Sequence, residues 1–258
     1  MLISIITITC NSEKYLAETI ASVKSQDYPD FEHIIIDGGS TDGTLDIIRE
    51  HAVNDSRIRW ISEPDQGISD AMNKGVALAT GEVIAHLHSD DCYQAPDVLS
   101  VVAGEFSRNP DALWLTGGAC LVGAHGQLLK KILVRRYSFP KLVRSNFILH
   151  PATFIRRSAF TMAGGFSKSL KYAMDYDLWL RLAKLGDPLA IDRPLVCFRV
   201  HKSGLSSGES DKAFREEWLI RRTLLANRPL ARLCHYLYFL VKRVRNRMTA
   251  RHLLRERG

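Results

Sequence analysis

Ile3-Ser4-Ile5-Ile6-Thr7-Ile8-Thr9-Cys10-Asn11 decides the fold. Residues 3–9 are almost continuously apolar or β-branched, as in a central strand of a parallel sheet buried on both faces. The run stops at Asn11 and Ser12, residues of the helix-capping class. Tyr15, Leu16, Thr19, Ile20 and Val23 then recur at helical spacing. The same strand-then-helix unit follows three more times. Phe31–Asp37 is a strand, Gly38 to Gly43 a turn and Thr44–His51 a helix. Arg57–Ser62 is a strand, and Gly67–Ala79 a helix with Asp65 or Ser69 as its cap. Glu82–His88 is a strand and Ala95–Arg108 a helix. Four such units in succession predict a parallel, doubly wound sheet.

The second half is less regular. Ala112–Cys120 and Leu128–Val134 read as strands joined by a turn at Gly123–Gly126. A short helix over Phe139–Ser145 and a strand over Ala152–Arg156 follow. Asp175–Leu185 is a helix and Leu189–Val200 a strand. Asp211–Ala226 is an amphipathic helix, and Asn227-Arg228-Pro229 breaks it before a last basic helix. These segments divide the chain into residues 1–110, 111–210 and 211–258.

The 258 residues are 46% hydrophobic and 24% charged, which excludes a disordered or collagenous chain. Five widely spaced cysteines without a C-x-x-C pair argue against a disulfide framework or zinc ribbon, and for a reducing compartment. No apolar run is long enough to span a bilayer, and the first ten residues lack the features of a signal peptide. From Arg228 onward there are nine Lys or Arg and one acid, a net +8 against +7 for the whole chain; the remainder therefore carries −1. The body is balanced and the tail is a cationic appendage suited to an anionic surface.

Ligands of open parallel sheets bind beyond the carboxyl ends of the strands. Those ends carry Thr7 to Asn11, Asp37 to Ser40, Glu63 to Gly67 and His88 to Asp91. Four polar, acidic or glycine-rich termini thus share one edge. Asp90 and Asp91 repel each other unless something intervenes, and Mg²⁺ or Mn²⁺ between them would bridge to a diphosphate. Helix capping is the bland alternative for this pair. The run from Asp37 to Thr44 matches neither the dinucleotide-binding fingerprint nor the P-loop. Asp37 can instead accept from a nucleobase imide or a ribose hydroxyl. Asp175 and Asp177 diverge on one helix; one can pair with Arg181 while the other serves as general base.

Ile5 to Asn11, Ile36 to Thr44, Ser89-Asp90-Asp91 and Asp175 to Arg181 together resemble family 2 glycosyltransferases of the GT-A fold. Glu63 to Gly75 resembles the bacterial subgroup around colanic-acid and related polysaccharide transferases. The resemblance spans roughly residues 1–207 with all motifs in order.

The resemblance implies a Rossmann-like, mostly parallel mixed sheet with a C-terminal helical extension. Thr7, Thr9 and Asn11, then Asp37, Gly39 and Ser40, then Asp65, Gly67, Asp70, Asn73 and Lys74, with Asp90, would hold a UDP- or GDP-sugar. Asp90, Asp91 and His201 would hold Mg²⁺ or Mn²⁺. Asp175 would deprotonate the acceptor hydroxyl, and His150 would line the acceptor side. The reaction would be a single displacement with inversion. Departures from the family pattern are His88 at the first D-x-D position, Gly38 after Asp37, Cys10 in place of an aromatic residue, and Met174 before the base.

The chain lacks the Q-x-x-R-W motif of the processive relatives, which implies one sugar per encounter. The acceptor would be a glycan or a polyprenyl-linked glycan of bacterial surface polysaccharide, met at the inner face of the cytoplasmic membrane. Leu230, Leu233, Tyr236, Leu237, Phe239, Leu240 and Val241, followed by Lys242, Arg243, Arg245 and Arg247, suit an interfacial helix. A non-catalytic sugar-nucleotide-binding or scaffolding protein is the competing reading, favoured by His88 and Met174. Specific nucleic-acid binding has no motif to support it. A nucleotidyltransferase would need a glycine-rich loop after the first strand, where Thr7 to Asn11 stand.

Overall fold

The computed structural model describes residues 1–134, 136–201 and 210–240. Contacts divide the chain into two units, Met1–His201 and Lys202–Gly258.

The first unit is built on one nine-stranded sheet. The predicted βα array is present as β1 (Ile3–Thr9), α1 (Leu16–Lys24), β2 (Phe31–Asp37), α2 (Thr44–Val53), β3 (Ile58–Ser62), α3 (Ile68–Leu78) and β4 (Val83–His86). Strands β3, β2, β1 and β4 lie side by side and parallel. In their register Thr9 stands beside Asp37 and Asp37 beside Ser62, so three strand ends share one edge. Every residue of β1, β2 and β4 is buried, which explains why their apolar residues do not alternate with exposed polar ones; polar residues among them pair across strands, Ser4 with Glu32 and Thr7 with His33. Ile3, Ile5, Val83 and Ala85 pack on one side of the sheet, and Ile35 faces that same side with Leu16, Ile20 and Ile48; Ile6 and Ile36 face α3 on the other. Gly75 sits inside α3, where a Cβ would come within 2.3 Å of Ile6 Cγ2. The glycine lets α3 lie directly on β1, at the usual helix-propensity cost of ~1 kcal/mol.

The rest of the unit is β5 (Cys92–Tyr93), α4 (Val98–Arg108), β6 (Trp114–Val122), β7 (Leu128–Ile132), α5 (Phe139–Arg144), a 3₁₀ turn at His150–Ala152, β8 (Thr153–Arg156), α6 (Arg157–Met162), α7 (Met174–Leu182) and β9 (Leu189–Arg199). Here the sheet becomes mixed. β8 runs antiparallel to β4 and β6, β9 runs parallel to β6, and β5 runs antiparallel to β9. β7 joins β6 as a hairpin off the main path.

Several boundaries move for local reasons. β4 stops at His86, because after Leu87 the chain turns, with the Asp91 N–H donating to the His88 carbonyl. The expected caps are absent. The N-cap of α1 is Tyr15 and that of α3 is Gly67, at φ 111°, and neither side chain closes a helix end. β5 is two residues long, too short to carry a period, and α6 is a single short stretch after β8.

The second unit contains α8 (Ser210–Leu224) and a helix over residues 229–240. Trp218 packs on Tyr236 and Phe239, with ring centres 5.1 and 5.8 Å away, and so fastens the two helices. Leu230, Leu233, Leu237 and Leu240 are exposed along the later helix. Val241, Lys242, Arg243, Arg245 and Arg247 fall outside the described residues. Among the described residues no helix is long and apolar enough to cross a membrane.

Candidate functional site

The ends of β1 and β2 form a closely bonded corner. Asp37 is fully buried. Its carboxylate accepts from Gly39 N and Ser40 N at 3.0 Å each, from the Ser40 hydroxyl at 2.5 Å and from the Ser62 hydroxyl at 2.6 Å. The Ser40 oxygen in turn accepts from Asn11 N at 2.7 Å, and Asn11 Oδ1 accepts from Thr41 N. Asn11 holds φ 51° and Gly39 φ 83°, backbone states that Asn and Gly tolerate best. Asp37 therefore shapes its own loop, and the expected nucleoside contact finds its acceptor capacity already engaged. Thr7 is likewise turned to the core, where its hydroxyl meets His33 Nε2 at 2.9 Å. Burial drives the His33 pKa down to about 3, so this imidazole is neutral. Thr9 differs: its Oγ1 is buried and has no partner.

The next strand end supplies charge. Lys74, from α3, reaches Asp65 at 2.7 Å, Glu63 at 2.8 Å and Asp70 at 3.5 Å. These acids raise the ammonium pKa further, so Lys74 is a permanent cation. Asp70 also pairs with Lys168 at 2.6 Å, and that bond leads the causes holding its carboxyl at about 2. Asn73 exchanges two hydrogen bonds with the Phe166 backbone and ties α3 to the Gly164–Phe166 turn. Asp70 and Asn73, both predicted as ligand contacts, thus hold protein segments together. Asp65 stays at the edge: a Cβ on Gly38 would lie 3.1 Å from its Oδ2 and 3.4 Å from Cys10 Cβ. Burial, then the charges of Asp37, Asp65 and Asp42, raise the Cys10 thiol. The corner is a negative field rich in acceptors, suited to ligand N–H and O–H groups.

The Asp90 and Asp91 side chains go to different partners, and their mutual repulsion persists. Asp91 is buried; its Oδ1 accepts from Arg199 N at 2.9 Å, and its carbonyl accepts from the Thr19 hydroxyl. Burial, then the Asp90 charge, push the Asp91 carboxyl well above the usual range. It anchors the end of β9 and is a poor metal ligand in this arrangement. Asp90 is part-exposed, and its Oδ2 stands 2.8 Å from His201 Nε2. The Arg199 side chain donates to the Asp90 carbonyl and pairs with Glu18 at 2.5 Å. Its guanidinium lies 4.4 Å from the Tyr15 ring centre, and the His201 ring lies 5.2 Å from that centre. Among the described residues no group of three or more His, Cys, Asp or Glu side chains is arranged to hold an ion. Asp90 and His201 offer one oxygen and one nitrogen donor, a pair that borderline or hard divalent ions accept with further oxygens.

On α7 the two acids divide as expected. Asp177 pairs with Arg181 at 2.7 Å, one turn on. Asp175 accepts from Asn146 Nδ2 at 3.1 Å and from Tyr176 N at 2.6 Å. Tyr176 is buried, with its hydroxyl donating to the Val143 carbonyl at 2.7 Å. The segment around α5 and the start of α7 thereby position the Asp175 carboxylate. Arg199 and Asn146 went unread in the sequence. Neither lies in a recurrent spacing, and both act across 29 or more residues.

The site can be set beside known proteins. The sequence profile described as Glycosyl transferase family 2 matches residues 4–160. A chondroitin synthase of Escherichia coli is 32% identical over 203 residues, covering 76% of this chain but 28% of the synthase. An uncharacterized glycosyltransferase of Mycobacterium tuberculosis is 34% identical over 204 residues, covering 76% of this chain and 73% of that protein. A PGL/p-HBAD biosynthesis glycosyltransferase of Mycobacterium bovis is 31% identical over 215 residues, covering 82% and 81%. Among solved structures, S. aureus TarS residues 1–349 with UDP-GlcNAc aligns at TM-score 0.70 and 21% identity, covering 87% of this chain and 67% of that one. The mannosyltransferase PcManGT of Pyrobaculum calidifontis, with GDP-Man and Mn²⁺, aligns at 0.62 and 20%, covering 94% and 64%. These two likenesses establish a GT-A fold.

Proposed function

The chain belongs to glycosyl transferase family 2, and from that premise we propose that it is an inverting, non-processive transferase that moves one sugar from a nucleoside-diphosphate sugar to a hydroxyl of a glycan or lipid-linked glycan. The observation that carries the reading is the contrast in burial among the acids of this edge. Asp37 and Asp91 are buried, while Asp90 and Asp175 stand part-exposed, each bonded to a neighbouring side chain.

The nucleoside would lie over Thr9, Gly38 and Asp65, where the unpartnered Thr9 hydroxyl and the Asp65 carboxylate match the donors of a base and ribose. The diphosphate would follow toward Asp90 and His201. Mg²⁺ or Mn²⁺ bound there would neutralise the charge growing on the leaving diphosphate. Asp90 would hold that ion at the β4 end, and His201, braced by Tyr15, would set the Asp90 rotamer. Asp175 would take the acceptor proton as the hydroxyl attacks the anomeric carbon from the face opposite the diphosphate, giving inversion in one step. Asn146 holds Asp175 in place. The solved structures of similar fold hold UDP-GlcNAc in one case and GDP-Man with Mn²⁺ in the other, which supports a UDP- or GDP-sugar donor and a divalent ion. Relatives named for chondroitin synthesis and PGL/p-HBAD biosynthesis support a glycan or glycolipid acceptor in surface polysaccharide assembly.

The second unit would bring the protein to that acceptor. The exposed leucines of residues 229–240, followed in sequence by Lys242, Arg243, Arg245 and Arg247, suit the anionic inner face of the cytoplasmic membrane. Each basic residue near such a surface adds ~1 kcal/mol. The test of the transferase reading is slow hydrolysis of UDP- and GDP-sugars by the purified chain with Mn²⁺. Asp175→Asn should retain nucleotide binding and lose turnover. Equal turnover in the variant would remove Asp175 from the reaction.

A further inference from the structure

Four buried ring nitrogens with no partner meet in one cluster: Nε2 of His86, His88 and His150, and Nε1 of Trp179. The rings are in mutual contact. His150 lies 5.6 Å from His86, 5.2 Å from His88 and 5.7 Å from Trp179, centre to centre, and Phe166 closes the group at 5.5 Å from His150. A buried polar atom left unpaired costs ~1–3 kcal/mol, so four together call for a ligand that completes them. The three imidazoles are not arranged to hold an ion.

The cluster's place in the fold identifies the ligand. His86 ends β4, and His88 leads to Asp90. His150 opens the turn into β8, the neighbour of β4, four residues after the Asn146 that binds Asp175. Trp179 is one turn beyond Asp175 on α7. The rings therefore span the sheet edge between the proposed diphosphate site and the proposed base, where the sugar being transferred must lie. His88 and His150 keep part of their surface open, though their Nε2 atoms are covered. A turn of either ring about its Cβ–Cγ bond would exchange the covered Nε2 edge for the opposite one. Burial first, then the other two imidazoles, hold His150 well below its usual pKa. A neutral imidazole suits a polyol, whereas a protonated one would suit a phosphate.

We propose that this cluster recognises the hydroxyls of the donor sugar, with His150 as the specificity-determining residue. The proposal rests on the transferase reading above. It is tested by calorimetry on the full chain with Mn²⁺, comparing bare UDP and GDP with UDP-glucose, UDP-galactose, UDP-GlcNAc and GDP-mannose. His150→Ala should bind the bare nucleotide within about twofold of wild type and lose ~10-fold for the preferred sugar nucleotide, the value of one hydrogen bond. Discrimination between the glucose and galactose epimers should narrow. His150→Gln, which keeps an N–H donor, should recover part of both, and it carries the test if the alanine variant does not fold. Equal shifts for bare and sugar-bearing nucleotides, or no shift, would overturn the proposal and leave the cluster as packing satisfied by water. A wild-type chain that binds no nucleoside diphosphate overturns the transferase reading before any variant is compared.

Discussion

Asp37 and Asp90 follow parallel strands that flank β1 on its two sides, yet their surroundings assign them opposite tasks. Asp37 is saturated by donors from its own loop and from Ser62. Asp90 has, among the described residues, a single side-chain partner, His201, and keeps part of its surface open. The residue type and the position at a strand end are shared; the number of protein donors decides whether a carboxylate builds the loop or serves a ligand. On the β4 turn, burial draws a similar line between Asp91 and the part-exposed Asp90.

The comparison breaks if the two classes respond alike to substitution. The largest effect belongs to Asp175→Asn, which should lower turnover by ~10²–10⁴, the range of a positioned general base, while the melting temperature stays near wild type. Asp37→Ala should act in the other direction. It leaves buried donors unpaired and should cost ~3 kcal/mol of stability, read as a lower denaturant midpoint. Full stability in Asp37→Ala would contradict its role as loop organiser.

Acid should expose the neutral core histidines. His33 and His86 are held at about 3 by burial. Unfolded histidine binds a proton below about 6.5, so the unfolded chain carries more protons than the native one from there down to about 3. Stability should therefore fall with falling pH across that window, by up to about 1.4 kcal/mol per unit for each histidine. Urea midpoints at pH 7.5, 6 and 5 measure this; a flat profile would contradict it. The smallest effect is Thr7→Val, which unpairs the neutral His33 and should cost ~1 kcal/mol without changing nucleotide affinity.

The first half of the fold was legible because its strands are buried on both faces and its helices carry apolar stripes; Ile3–Thr9 and Phe31–Asp37 appear with their expected bounds. The second half was less so. β5 earns its strand geometry only by pairing Cys92 with Cys197 across 105 residues of chain, and no local period announces that. Cap residues misled for a related reason. Asn11 and Asp65 are of the capping type, but Asn11 bonds Thr41 and Asp65 bonds Lys74. In the site, residue types at the strand ends pointed to the right edge. Which acids would be engaged by other parts of the protein depended on Ser62, Arg199 and Asn146, partners 25 to 108 residues away. The histidine cluster is the furthest case, assembled from the end of β4, the turn after it and a 3₁₀ turn.

Titration of the wild type, Asp90→Ala and Thr7→Val with UDP and GDP, each with and without Mn²⁺, bears most directly on the division between structural and ligand-binding strand-end residues. The account predicts Mn²⁺-dependent binding of one nucleotide by the wild type and by Thr7→Val, and loss of the Mn²⁺ dependence in Asp90→Ala at unchanged melting temperature. Mn²⁺-dependent binding that survives in Asp90→Ala and disappears in Thr7→Val would contradict it.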